Sequence, residues 1–144
     1  RRLMPGIFSS LRASLRTILL GVQGLPAARA WEGRKFTPTV GVPWVRETLV
    51  PNGSVLAAYG AGGLIREDIT YLIDVFQPAT DADRIFDLDD LGDAICRAFK
   101  PGTPLTTPDC RGQVISASRA RIQHEPDWRM LPITVAGFVY RENA

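Results

Sequence analysis

The chain has 144 residues, of which 45% are hydrophobic, and this is the length of one compact domain with its own core. Seventeen basic residues against fifteen acidic ones leave a net charge of +2, which is too small by itself to indicate a nucleic-acid-binding protein. Two cysteines and one histidine cannot supply the four ligands of a structural zinc site. We therefore expect no metal, no cofactor and two reduced thiols, Cys96 and Cys110.

The charge is unevenly distributed along the chain. Residues 1–35 hold seven basic residues and one acidic residue, whereas residues 81–93 hold six aspartates and one arginine. No apolar run approaches the roughly 18 residues of a membrane span, and the basic start lacks the apolar core of a signal peptide. We expect a soluble protein made in the cytoplasm, with no membrane partner.

The first third of the chain predicts one helix and two strands. Residues 5–20 carry an apolar stripe at helical spacing, with Pro5 suited to the first turn and Gly21 to the end. Residues 28–36 could form a short edge strand, and the alternation in residues 44–50 predicts another strand. The Pro-Asn-Gly turn signal at residues 51–53 and the small residues after it predict a long hairpin loop over residues 51–64, mobile until it contacts a partner.

The most strongly patterned segment is residues 65–78. From Ile69 onward it is nearly all β-branched or aromatic, with Tyr71, Ile73 and Val75 on one face and further apolar side chains on the other. This pattern predicts a central strand that is covered on both sides. Ile133 and Val135, in the last predicted strand, are expected to join the same buried row.

The rest of the chain predicts a second helix and two more strands. The helix starts at Asp83 or Asp87 and ends at Phe99, with aspartates near its positive end. Strands follow at residues 113–122 and 131–140. The order α-β-β-β-α-β-β predicts an α+β fold, with a mainly antiparallel sheet of four to five strands and two helices on one face, in a single domain over residues 1–144.

Motifs for catalysis are lacking, so we expect no enzyme. The Gly-Ala-Gly-Gly tract at residues 60–63 precedes a strand, whereas a phosphate-binding loop follows one and opens a helix. His124 could pair with Glu125 or Asp127 as a base, but no nucleophile is fixed beside it, and a solvated histidine is the simpler interpretation. Dipole and capping effects account for the aspartates better than a divalent metal does.

Five segments together resemble a known family. They are Ala-Trp-Glu-Gly-Arg-Lys-Phe-Thr-Pro at residues 30–38, Pro-Trp-Val-Arg-Glu-Thr-Leu at 43–49, Tyr-Leu-Ile-Asp-Val-Phe-Gln-Pro at 71–78, Arg-Ala-Phe-Lys-Pro-Gly at 97–102, and Trp-Arg-Met-Leu-Pro-Ile-Thr-Val at 128–135. In this order, after an amphipathic helix, they are similar to the tail terminator and tail completion proteins of long-tailed bacteriophages. The resemblance covers nearly the whole chain.

The resemblance implies a structural protein of the virion. Such a protein forms a ring, typically six-fold, on the last ring of the tail tube, stops tube polymerisation and joins the tail to the capsid neck. Its partners would be further copies of itself, the tube protein and a neck or head-completion protein, with phage DNA passing through the lumen without sequence-specific binding. It would be assembled in the host cytoplasm and lie at the neck-proximal end of the tail.

Two alternatives remain open from the sequence: a head-completion or neck connector protein, and a small nucleic-acid-binding module. For the interface with neighbouring subunits or the tube, the predicted loop and the strand entry after it supply the candidates. These residues are Val55, Leu56, Tyr59, Arg66, Glu67 and Asp68.

Overall fold

The structure is a computed structural model, and it describes residues 7–57, 63–79 and 84–142. Within these residues, two helices and six strands follow one another. They are α1 (Ile7–Leu20), β1 (Ala28–Ala30), β2 (Trp44–Leu56), β3 (Leu64–Pro78), α2 (Ile85–Ala98), β4 (Arg111–Arg119), β5 (Gln123–His124) and β6 (Trp128–Glu142).

All six strands form one sheet, in the order β1-β2-β3-β6-β4, with the two-residue β5 paired to one end of β6. Every pairing is antiparallel except that of β1 with β2. The predicted α+β fold is confirmed, with β5 added to the predicted strands. The last strand of the chain, β6, lies in the middle of the sheet, between β3 and β4.

Both helices pack on the same face of the sheet. Tyr71, Ile73 and Val75 of β3 are buried there, next to Ile133 and Val135 of β6, as the alternation predicted. The helices contribute their apolar stripes to this core. These buried helix residues are Leu11, Leu15 and Leu19 of α1, and Leu88 and Ile95 of α2.

The opposite face is covered less than predicted. Trp44 and Phe76 lie there in parallel contact, with ring centroids 3.8 Å apart and an interplanar angle of 2°. Phe36 and Trp128 pack against Trp44 and complete a small aromatic cluster. Farther along β3, Leu72 is only half-buried. The expectation that the central strand is covered on both sides therefore holds at its C-terminal end alone.

The predicted loop at residues 51–64 is shorter than expected, because β2 continues to Leu56. Its register with β3 shifts between Pro51 and Ser54, after which Ser54 pairs with Glu67. Gly53 has a φ of 114°, a conformation that glycine adopts without strain. The Pro-Asn-Gly signal thus produces a bulge within the strand instead of its end. Residues 58–62, with Tyr59 and most of the glycine tract, lie outside the described residues.

Candidate functional site

The distal half of the β2–β3 hairpin, residues 51–57 and 64–69, is called the hairpin arm below. Its β2 side is exposed at every residue. Val55, Leu56 and Leu64 keep 55%, 51% and 41% of their surface accessible. Because β1 pairs only with residues 44–46 of β2, the outer edge of β2 in the arm has no strand beside it among the described residues. The arm thus combines exposed apolar side chains with an open sheet edge.

The charged residues of the arm contact groups in their own chain. Arg66 lies 3.0 Å from Asp68, and its guanidinium group is 4.2 Å from the centre of the Phe138 ring. Glu67 is 5% exposed and accepts hydrogen bonds from Arg141 at 2.9 Å and from Ser54 at 2.5 Å. Glu67 faces the helix side of the sheet, so its carboxylate is used within the chain.

The six predicted interface residues therefore differ in their surroundings. Val55 and Leu56 are exposed, as an interface requires. Arg66 and Asp68 are partly exposed but paired with each other. Glu67 is buried, and Tyr59 lies outside the described residues.

A groove of about 540 Å³ lies at the other end of the sheet, where β3 ends and α2 begins. Its apolar lining comes from Val75, Phe76, Leu88, Leu91 and Pro43. Polar residues of α2 and the residue before it, together with the α1–β1 connection, complete the lining. They include Arg84, Asp87, Asp90 and Gln23. No sequence pattern indicates this groove, because its walls come from segments far apart in the chain.

Hydrogen bonds between buried side chains and the backbone hold the start of α2 beside β3. Gln77 donates to the carbonyl oxygen of Arg84 at 2.7 Å. Arg129 of β6, which is 5% exposed, donates to the side chain of Gln77 at 3.0 Å and to the carbonyl oxygen of Ala79 at 3.2 Å. These bonds connect the end of β3 and β6 to the start of α2, at one side of the groove.

A buried carboxylate on β2 ties α1 to the sheet. Glu47 has a fully buried side chain and accepts a hydrogen bond from Nε of Arg16 at 2.6 Å and another from the Tyr71 hydroxyl. Burial and this carboxylate raise the pKa of Tyr71 far above its ordinary value. A signal existed in the sequence, because Glu47 alternates with Val45 and Leu49 and so occupies an inward position of the predicted strand.

Glu32 extends this network to the connection before β2. It accepts a hydrogen bond from Arg12 at 2.5 Å and one from the backbone N–H of Leu49 at 3.1 Å. Burial raises the pKa of Glu32, but the bonds from Leu49 and Arg12 outweigh it and hold that pKa below its ordinary value. Two arginines of the basic N-terminal region are thus neutralised within the chain.

The remaining candidates for catalysis or metal binding do not come together in one site. His124 is exposed in β5. Among the described residues, no group of three or more histidine, cysteine or acidic residues could hold a metal ion. Cys96 is half-buried, Cys110 is buried, and both are free thiols. Within the same residues, no helix has the length and apolar character needed to cross a membrane.

The structure thus presents an arm with exposed apolar side chains and an open edge, and a groove lined by apolar residues, two aspartates and one arginine. Residues 7–136 match the family model described as phage tail terminator protein. No curated protein matches the sequence. Fifteen solved chains match, and one of them superposes with a TM-score of 0.71 over 93% of this chain and 96% of its own length, at 16% sequence identity. At that identity the likeness concerns the fold.

The match to the family model spans most of the chain, so the chain belongs to the phage tail terminator family. It is a structural protein of a bacteriophage tail.

Proposed function

We propose that the protein forms a six-membered ring on the last ring of the tail tube, stops tube polymerisation there, and joins the tail to the capsid neck. Membership of the terminator family supports the role. The observation that carries the proposal in this chain is the hairpin arm, whose exposed Val55, Leu56 and Leu64 lie beside an open strand edge. Exposed apolar groups and open edges favour association with another chain.

The small exposed apolar surface of the hairpin arm is consistent with a ring that assembles only on the end of the tail tube. Val55 and Leu56 are neighbours along β2 and face opposite sides of the sheet, so each side exposes little apolar surface, whereas obligate oligomers bury large apolar interfaces. Contacts between free subunits then contribute little free energy to offset the entropy lost on association. A finished tube end adds contacts to each subunit, so the ring assembles on that end. Heterologous contacts between neighbours close the ring.

DNA can pass through the lumen only if the surface of the lumen binds it weakly. The face of the sheet opposite the helices carries Arg46, which lies 2.9 Å from Asp74, and Arg66, which is paired with Asp68. These pairs lower the positive charge available to phosphates, and phosphate contacts supply most non-specific DNA affinity. We assign the protein no sequence-specific contact with DNA.

The test is complementation of a phage that lacks this gene with a plasmid-borne Val55→Asp/Leu56→Asp variant. Both positions are exposed in the chain, so the variant should fold, and its melting temperature in purified form checks this. We expect tails of abnormal length in electron micrographs, because the variant no longer stops the tube. Ile115→Asp, at another exposed aliphatic residue on the far edge of the sheet, is the control. Normal tails with the arm variant would overturn the proposal.

A further inference from the structure

Two of the carboxylates that line the groove take no part in the ion pairs of the described residues. Asp87 and Asp90 line it from α2, and among the described residues neither has an ion pair. Asp89 and Asp93 lie on the other side of the same helix, where Arg119 of β4 approaches Asp89 to 2.6 Å and Asp93 to 4.0 Å. The four aspartates thus divide into a pair used within the chain and a pair directed to the groove.

The groove also offers apolar surface next to these carboxylates. Phe76 and Leu91 line it beside Asp87 and Asp90. A cationic side chain would be attracted by the two carboxylates, and an apolar side chain beside it would leave water for the groove. Arg84 also lines the groove, so its described lining carries two carboxylates and one guanidinium group.

The groove and the hairpin arm lie at opposite ends of β3. Val75 in the groove lies eleven positions after Leu64 in the arm, a distance of about 36 Å at roughly 3.3 Å per residue. One neighbouring protein of ordinary size can contact one of these ends while another protein contacts the other. A ring that joins two structures needs two such separate surfaces.

We propose that the groove binds a short segment of the neck protein on the head side of the ring, in which a lysine or arginine stands next to an apolar residue. This inference rests on the proposed function of the arm, and it assigns the second partner to the opposite end of the sheet. The bracing of α2 by Gln77 and Arg129 keeps the groove formed in the free subunit, so that little ordering is needed on binding.

The experiment compares Asp90→Lys with Asp93→Lys in the same complementation assay. The two substitutions make the same change of charge on the same helix, but Asp90 lines the groove whereas Asp93 faces Arg119. With Asp90→Lys we expect tails of normal length that are not attached to capsids, and at least a tenfold fall in infectious particles. With Asp93→Lys we expect attached tails. Melting temperatures of both purified variants show whether they are folded.

Each outcome distinguishes this inference from the proposed function. Unattached tails of normal length with Asp90→Lys, beside abnormal lengths with the arm variant, support both. Attached tails with folded Asp90→Lys overturn the groove assignment and leave the arm untouched. Abnormal tail lengths with Asp90→Lys also overturn it, because the groove would then serve the ring or the tube. If Asp90→Lys does not fold, Asp90→Asn replaces it, with Asp93→Asn as its control and the same criteria.

Discussion

At the scale of single residues, Glu47 shows how one inward-facing carboxylate positions a helix. Its side chain is fully buried and contacts Arg16 of α1 and Tyr71 of β3. Burying a charge costs free energy unless it is paired and hydrogen-bonded, and both conditions are met here. The pairing of Glu47 with Arg16 therefore selects one position of α1 on the sheet, since a shift of the helix would leave the carboxylate unpaired.

We predict that Glu47→Gln lowers the free energy of unfolding by roughly 2–3 kcal/mol, because Arg16 loses its charged partner. Urea denaturation at neutral pH measures this. Glu32→Gln is the matched control: that carboxylate also binds Arg12, but its side chain is 37% exposed, so the expected loss is below about 1 kcal/mol. Equal losses in the two variants would show that burial of Glu47 does not increase the contribution of its pair with Arg16 to the free energy of unfolding.

At the scale of elements, the close approach of β4 to β6 depends on Gly112. A Cβ atom added there would lie 1.8 Å from the carbonyl oxygen of Phe138 and 2.6 Å from the Cα atom of Val139. Both atoms belong to the backbone of β6, which cannot move aside without loosening its pairing with β3. Gly112 is thus required by the spacing of two strands.

We predict that Gly112→Ala destabilises the protein by about 3 kcal/mol, through displacement of β4 from β6. At Gly21, after α1, an added Cβ would come no nearer than 3.4 Å to another atom, and Gly21→Ala should change stability by less than about 0.5 kcal/mol. Thermal unfolding of both variants followed by circular dichroism makes the comparison. A Gly112→Ala variant as stable as the control would mean that the strands adapt at no cost.

The sequence predicted the elements that have a strong period of their own. The apolar stripes of α1 and α2 and the alternation in β3 identified these elements, together with buried Tyr71 and Ile73. The arm was misread because Pro51 and Gly53 are typical of turns, whereas here cross-strand pairing with β3 carries the strand past them. The sequence did not indicate that Glu67 is buried, because its partner, Arg141, is 74 residues away in the chain. The residues that line the groove also come from segments far apart in the chain.

At the scale of the whole molecule, the prediction concerns copy number. We expect the purified protein to be monomeric at micromolar concentration and to be present as six copies at the end of each tail, because the exposed apolar patches are small in the free subunit. Sedimentation velocity measures the oligomeric state of the purified protein, and averaged electron micrographs of tail ends show the symmetry of the ring. A stable ring in the absence of tubes would contradict templated assembly, and a symmetry other than six-fold would contradict the copy number.

The position of β6 in the sheet determines when the chain can fold during synthesis. Residues 128–142 fill the space between β3 and β4, so both of those strands leave the ribosome before their shared partner exists. At roughly 5–20 residues per second, the 49 residues between the end of β3 and the start of β6 take several seconds to make. During that time the apolar edge of β3 is open to other nascent chains. Stop codons before Trp128 should therefore give aggregates instead of partly active subunits.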